Sequence, residues 1–182
     1  MRGADAPRRR RTRQNEPIRT LLVLRHAKSD WSSGPGGSDL ARPLAARGRR
    51  GADTIGRFIA ESGNVPDGAI CSPAVRVVET LERAMAAGKW ACAVRESDRL
   101  YAYGFDALVS EIRLEPDATD VLLVVGHEPT CSEAVAYLIG GGQVRMATGA
   151  LARVDFDVSW SGLDAGTGVL RWLVTPRLFD TG

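Results

Sequence analysis

Two short runs leave this chain little freedom in how it can fold. Residues 20–24 (TLLVL) and 120–125 (DVLLVV) are aliphatic without alternation, the pattern of strands buried on both faces, which occurs where helices cover both sides of a parallel sheet. Each run then meets polar groups: Arg25-His26 after the first, Gly126-His127 after the second. The chain holds two histidines in all, and each stands one or two residues past an aliphatic strand. In open α/β sheets ligands bind beyond the carboxyl ends of the strands, where loops and helix N-termini converge. A histidine alone is usually a satisfied structural residue; two at matching strand ends, one beside an arginine, predict a site.

The remaining signals alternate between helix and strand. A Gly- and Ser-rich connector at 30–42 (DWSSGPGGSDLAR) is read as lacking regular structure. Residues 44–61 space Leu44, Ile55, Phe58 and Ile59 as one apolar helical face. A turn at 64–67 leads to a short strand at 68–71, and Ser72-Pro73 reads as a capping serine with a first-turn proline, opening a helix over 73–87. A weak strand at 91–95 and helices at 105–114 and 129–139 follow, then two alternating segments, 150–158 and 168–175. The expected fold is an α/β three-layer sandwich with a largely parallel sheet flanked by helices, the C-terminal strands being candidates for an antiparallel edge.

At 182 residues and 44% hydrophobic, one domain with a substantial core is expected. No apolar run reaches the roughly 18 residues of a membrane span, and the N-terminus lacks the apolar centre of a signal peptide, which predicts a soluble, cytoplasmic protein without a membrane partner. The net charge of +2 hides an asymmetry: seven arginines in residues 1–19 face only Asp5 and Glu16, and the remainder is mildly acidic. Residues 1–19 are read as a disordered Arg-rich tail and 20–182 as the folded domain; such tails are more often solvated than bound to nucleic acid. Cys71, Cys92 and Cys131 have neither disulfide nor zinc spacing.

Two further segments carry chemistry. Cys71-Ser-Pro-Ala-Val-Arg76 fails the Cys-x5-Arg loop of cysteine phosphatases by one residue. It still leaves Arg76 early in a helix, where a guanidinium can grip phosphate bidentately. In Gly126-His127-Glu128-Pro129 the glycine permits close backbone approach and the proline opens a helix whose N-terminus favours an anion. GxxxxGK[ST], GxSxG and HExxH are absent, and no metal or cofactor is expected. Two arginines and two histidines at one pocket read as a cage of positive charge suited to metal-free phosphoryl transfer, with a histidine nitrogen able to act as nucleophile.

Arg25-His26-Ala27-Lys28-Ser29 resembles the RHG-x-[ST] motif of the histidine phosphatase superfamily, which includes the phosphoglycerate mutases. Cys71 to Arg76, followed by Glu79-Thr80, resembles its SSPxxRAxET segment, Gly126 to Pro129 its later GH motif, and Arg42-Pro43-Leu44 with Arg47-Gly48 its PLTxxG segment. The small size, the RHAKSDW wording and Arg99 to Tyr101 look most like the SixA-like phosphohistidine phosphatase branch. The resemblance implies that His26 is the phosphorylated nucleophile, that Arg25, Arg76 and His127 clamp the phosphate, and that Ser29 supplies the motif hydroxyl; Arg42 joins Ser29 as a substrate-binding candidate.

Ala27 stands where the motif has glycine, and no general acid aligns, although Glu96, Asp98 and Glu128 are candidates. An ester's alkoxide needs a proton donor far more than a phosphohistidine's imidazole does. The expected partner is therefore a phosphorylated substrate, a phosphohistidine-bearing protein foremost, acted on by a hydrolase. The alternatives are a small phosphate-ester phosphatase or mutase of the same superfamily, and a non-catalytic phosphate-binding adaptor.

Overall fold

The computed structural model describes residues 18–31 and 38–179. The tail reading over residues 1–17 lies outside them, but Arg19, counted with that tail, opens the first strand and is buried against Asp117.

A single mixed sheet carries the chain. Strands β1 (Arg19–Arg25), β2 (Gly68–Cys71), β3 (Ala93–Glu96), β4 (Val121–Gly126), β5 (Leu151–Phe156) and β6 (Gly168–Val174) lie in the order β3-β2-β4-β1-β5-β6. The first four of that order pair in parallel, while β5 runs antiparallel to both β1 and β6. Helices α1 (Ala46–Glu61), α2 (Val75–Gly88), α3 (Arg99–Ala102), α4 (Phe105–Ile112) and α5 (Thr130–Leu138) complete the fold.

Each central strand feeds two cores, which explains its unbroken aliphatic run. Leu21 and Val23 of β1 join Leu122 and Val124 of β4 beneath α4 and α5. Leu22, Leu24, Leu123 and Val125 point the other way, into the layer holding Ile55 and Ile59 of α1 and Val77 and Leu81 of α2. Helices α1 and α2 touch through backbone: a Cβ on Gly56 would lie 2.0 Å from the Ala84 carbonyl oxygen, so only glycine permits that approach.

Local deviations from the expected elements have identifiable causes. Helix α1 begins at Ala46 rather than at 44 because Leu44 forms an isolated bridge with Ser29 and gives its N–H to Glu79. Helix α2 begins at Val75, Ala74 still being extended, so Ser72 does not cap it. The connector is not wholly irregular, since Asp39–Ala41 form a 3₁₀ turn.

The register of β1 on β4 creates the site. Arg25 lies opposite Gly126, and the His26 N–H bonds to the Gly126 carbonyl at 2.9 Å. Parallel pairing thus brings two strand ends, and two histidines distant in sequence, to one place.

Candidate active site

A cleft of about 560 Å³ at the carboxyl ends of β1 and β4 is lined by Arg25, His26, Ser29, Arg42, Arg76 and His127, with Lys28, Trp31, Asp39, Tyr101, Glu128 and Thr148 around them. All six sequence candidates converge there.

The loop bearing His26 is fixed by its neighbours. Thr80 of α2 accepts the Ala27 N–H at 3.0 Å and gives its own hydroxyl to the Arg76 carbonyl. The Ala45 N–H bonds to the Lys28 carbonyl, against which Gly48 packs so closely that a Cβ there would lie 2.0 Å from the same oxygen. The Thr80 and Gly48 of the sequence motifs thus place the loop.

Hydrogen bonding decides the tautomer of each histidine. His26 Nδ1 lies 2.7 Å from the Ala27 carbonyl oxygen; a carbonyl only accepts, so Nδ1 carries the proton and Nε2 keeps its lone pair. His127 is the reverse. Its Nδ1 accepts from Arg76 Nη2 at 3.2 Å, and Nε2–H donates to Ser72 Oγ at 2.8 Å. The ring centroids stand 5.3 Å apart, edge to face.

The cage of positive charge expected from the sequence needs correcting, because both histidines are neutral near pH 7. Burial pushes His26 down to about 3, against the opposing pull of the Ala27 carbonyl, with His127, Arg76 and Arg25 adding to the fall. Burial and then Arg76 take His127 down to about 4. The cations are the arginines and Lys28. Arg25 Nη1 donates to the Met146 carbonyl at 2.7 Å, and the Nε atoms of Arg25, Arg42 and Arg76 are buried without a protein acceptor. Buried donors of this kind suit an anion that enters the cleft.

These shifts set a pH dependence of stability. Each histidine binds a proton more readily unfolded than folded, so its contribution is complete above about 6.5 and declines as pH falls toward about 4 and 3. Denaturation at pH 7 and pH 5 is expected to show a loss of about 2–4 kcal/mol from the pair, much reduced in a His26→Ala/His127→Ala double variant.

Asp39, which the sequence reading missed, organises the arginines. Its Oδ1 accepts from Arg42 Nη2 at 2.7 Å, its Oδ2 from Arg76 Nη2 at 2.9 Å and from Tyr101 OH at 3.2 Å, and its carbonyl from Arg76 Nη1 at 2.6 Å. Partial burial raises the Asp39 carboxyl, but Arg76 and Arg42 outweigh it and hold the group below the usual range, so it stays an anion. Ser29 is buried and accepts from Arg42 Nη1 at 2.8 Å, and the Arg42 guanidinium lies 3.7 Å over the Trp31 ring. The signal in the sequence was an acid three residues before Arg42, in a connector with one other acid, Asp30.

Of the three acid candidates only Glu128 lines the cleft. One of its oxygens accepts from Ser132 Oγ, and the other is buried without a protein partner. Glu96 and Asp98 are exposed elsewhere. Burial pushes the Cys71 thiol up to about 11, so no thiolate chemistry arises there. Among the described residues no three His, Cys, Asp or Glu side chains gather as a metal would need, and no helix is long and apolar enough to cross a membrane.

The sequence and the fold match a known group. The sequence profile of the histidine phosphatase superfamily (branch 1) matches residues 21–108. An uncharacterised protein of Mycobacterium tuberculosis is 33% identical over 164 residues, spanning 85% of this chain and 100% of the relative. The structure described as a putative phosphohistidine phosphatase SixA from Nakamurella multipartitia superposes with a TM-score of 0.78 at 27% identity, over 90% of this chain and 99% of that one. The chain belongs to the histidine phosphatase superfamily. Within it the chain is SixA-like, and a phosphatase, hence a hydrolase. The profile match takes in every histidine phosphatase motif up to α4, whereas His127 lies beyond it and is joined to the site by the β1–β4 register. A SixA structure complexed with tungstate shares the histidine phosphatase fold at a TM-score of 0.76 and 21% identity, over 88% of this chain and 99% of that one.

Proposed function

We propose that the chain is a protein phosphohistidine phosphatase working through a phosphorylated His26, without a metal ion. The observation that carries this reading is the His26 Nδ1–H bond to the Ala27 carbonyl, which leaves Nε2 unprotonated. Nε2 attacks phosphorus while the substrate's P–N bond breaks, the departing imidazole keeping the electron pair and taking a proton from solvent. Water then attacks the phosphoryl group and loses a proton, the bond to Nε2 breaks, Nε2 regains its lone pair and inorganic phosphate leaves. Arg25 and Arg76 hold the phosphoryl oxygens and offset the charge that spreads over them, while His127 steadies Arg76 by accepting from its Nη2. Arg42 adds a further contact, with Ser29 positioning it.

Two features favour a protein phosphohistidine over a small ester. Asp39 is held as an anion, so it is a poor proton donor, and a leaving imidazole needs a donor less than an alkoxide does. At the cleft, Trp31 is 73% and Tyr101 40% exposed, aromatic surface of the kind that anchors protein partners. Brief reaction with a radiolabelled phosphohistidine peptide, followed by alkaline quench, is expected to leave acid-labile label on the enzyme. Equal label on His26→Ala would refute the assignment. Activity is expected to persist in a chelator; loss reversed by a divalent ion would count against the metal-free route.

Glu128 supports a second reading, an ester phosphatase, because its buried free oxygen lies in the cleft. Glu128→Gln is expected to change phosphohistidine turnover by less than about threefold. A loss of about 100-fold or more, the ordinary worth of a general acid, confined to phosphate esters that the wild type prefers, would establish the second reading instead.

A further inference from the structure

A second cavity adjoins the cleft. Lys28 and Thr148 line both, and beyond them a groove of about 510 Å³ runs along the first turns of α1, bounded by the segment before β5 and the turn after β6. Lys28, Arg47, Arg50, Arg57 and Arg177 line it, all exposed. None has a carboxylate within ion-pair distance among the described residues. The groove's one acid, Asp53, is taken by Arg83 at 2.6 Å. Elsewhere pairing is the rule: Arg49, Arg95, Arg99, Arg113, Arg153 and Arg171 each reach an acid. Outside the cleft, Lys89 and Arg145 are the remaining described cations without one.

Folding alone does not account for these charges. The first turn of α1 holds arginines and no acid, although a helix N-terminus favours acids and disfavours cations. Arg47, Arg50, Thr54 and Arg57 follow a three-four-three spacing and so share one helix face. Between them the lining is small, with Ala27, Gly48 and Gly51, which lets an extended chain lie close.

We infer that this groove seats an acidic segment of the phosphorylated protein whose phosphoryl group the neighbouring cleft removes. The identity of that protein as a phosphatase substrate rests on the proposed function; the acidic character of its segment rests on the groove alone. From Arg47 to Arg57 the helix rises about 15 Å, the length of four or five extended residues. A strand of nucleic acid fits the charge but not the lining, which offers no aromatic ring on which a base could stack.

The test uses the full chain and two fluorescent, unphosphorylated peptides, one carrying five consecutive glutamates and the other five glutamines. The glutamate peptide is expected to bind the wild type at least about tenfold more tightly than the glutamine peptide, with an affinity that falls as salt rises. Arg50→Glu/Arg57→Glu is expected to lose most of that preference while hydrolysing phosphoramidate within about twofold of wild type. Because the basic residues 1–19 are present in both proteins, the difference between them reads the groove. Phosphohistidine versions of the two peptides are then expected to differ about tenfold in kcat/KM with the wild type and little with the variant.

Equal binding of the two peptides by the wild type, or unchanged binding by the variant, overturns the inference. So does an oligothymidine of matching charge that binds more tightly than the glutamate peptide. A wild type that binds the glutamate peptide but hydrolyses no phosphohistidine overturns the substrate reading while leaving the acidic groove in place.

Discussion

Replacing His26 by alanine is expected to lower kcat/KM for a phosphohistidine peptide by at least about 10⁴-fold, because a removed nucleophile leaves only binding and charge stabilisation. The fold should survive. The His26 ring hydrogen-bonds to the carbonyl of its own neighbour Ala27, and the loop is held from outside by Thr80 and by the Ala45 N–H. His26→Asn sharpens the test, since its amide can still donate toward the Ala27 carbonyl but supplies no nucleophilic nitrogen. It is expected to be as inactive as His26→Ala. Recovery of more than about tenfold in the asparagine variant would mean that His26 orders the loop and that another group attacks phosphorus. The acid limb of kcat/KM adds an independent check. With the substrate's own ionisation divided out, it is expected well below the ordinary histidine value, since burial takes His26 down to about 3.

How much of this was legible before the structure depends on which interactions are local. Aliphatic runs that end in polar residues are a property of consecutive side chains, so β1, β4 and their histidines could be read directly, and the parallel register that joins them follows from two such strands lying side by side. Asp39 could not be read in the same way. Its worth lies in reaching Arg76, which is 37 positions away, and the glycines and serines beside it argue only for irregular chain. Ser72 shows the opposite error. A serine before a proline is a strong local cap signal, yet Ala74 takes the N-cap position and the hydroxyl accepts from both His127 and the Ala74 N–H. The charge of the histidines failed for a third reason. Residue type gives the ordinary pKa, whereas burial and the neighbouring guanidiniums, which push His26 down to about 3 and His127 to about 4, exist only once the sheet and α2 have assembled. Helix α3, at four residues, is too short to leave a periodic signal at all.

Arg76→Lys is expected to cost about 10²–10³-fold in kcat, a loss comparable to removing a fixed oxyanion donor, although the charge is kept. A lysine is a single mobile point charge, while the Arg76 fork meets the Asp39 carbonyl, the Asp39 carboxylate and His127 Nδ1 at once and keeps its Nε buried with no protein acceptor. The same contacts admit a competing explanation, that Arg76 merely ties down the Asp39 segment. Asp39→Asn separates the two, because it cuts the ion pair and leaves the guanidinium in place. If Arg76 acts on the phosphoryl group, Asp39→Asn loses less than about tenfold in kcat, and vanadate, a phosphate-like oxyanion, binds it at least as well as wild type while binding Arg76→Lys much more weakly. If Arg76 is only a tether, both variants lose the same activity and vanadate affinity follows neither. The neutral His127 makes the first outcome the expected one. With Nδ1 accepting from Arg76 and Nε2–H committed to Ser72, it brings no positive charge to the cleft, and the charge that offsets a phosphoryl dianion has to come from the guanidiniums and the exposed Lys28 at the rim.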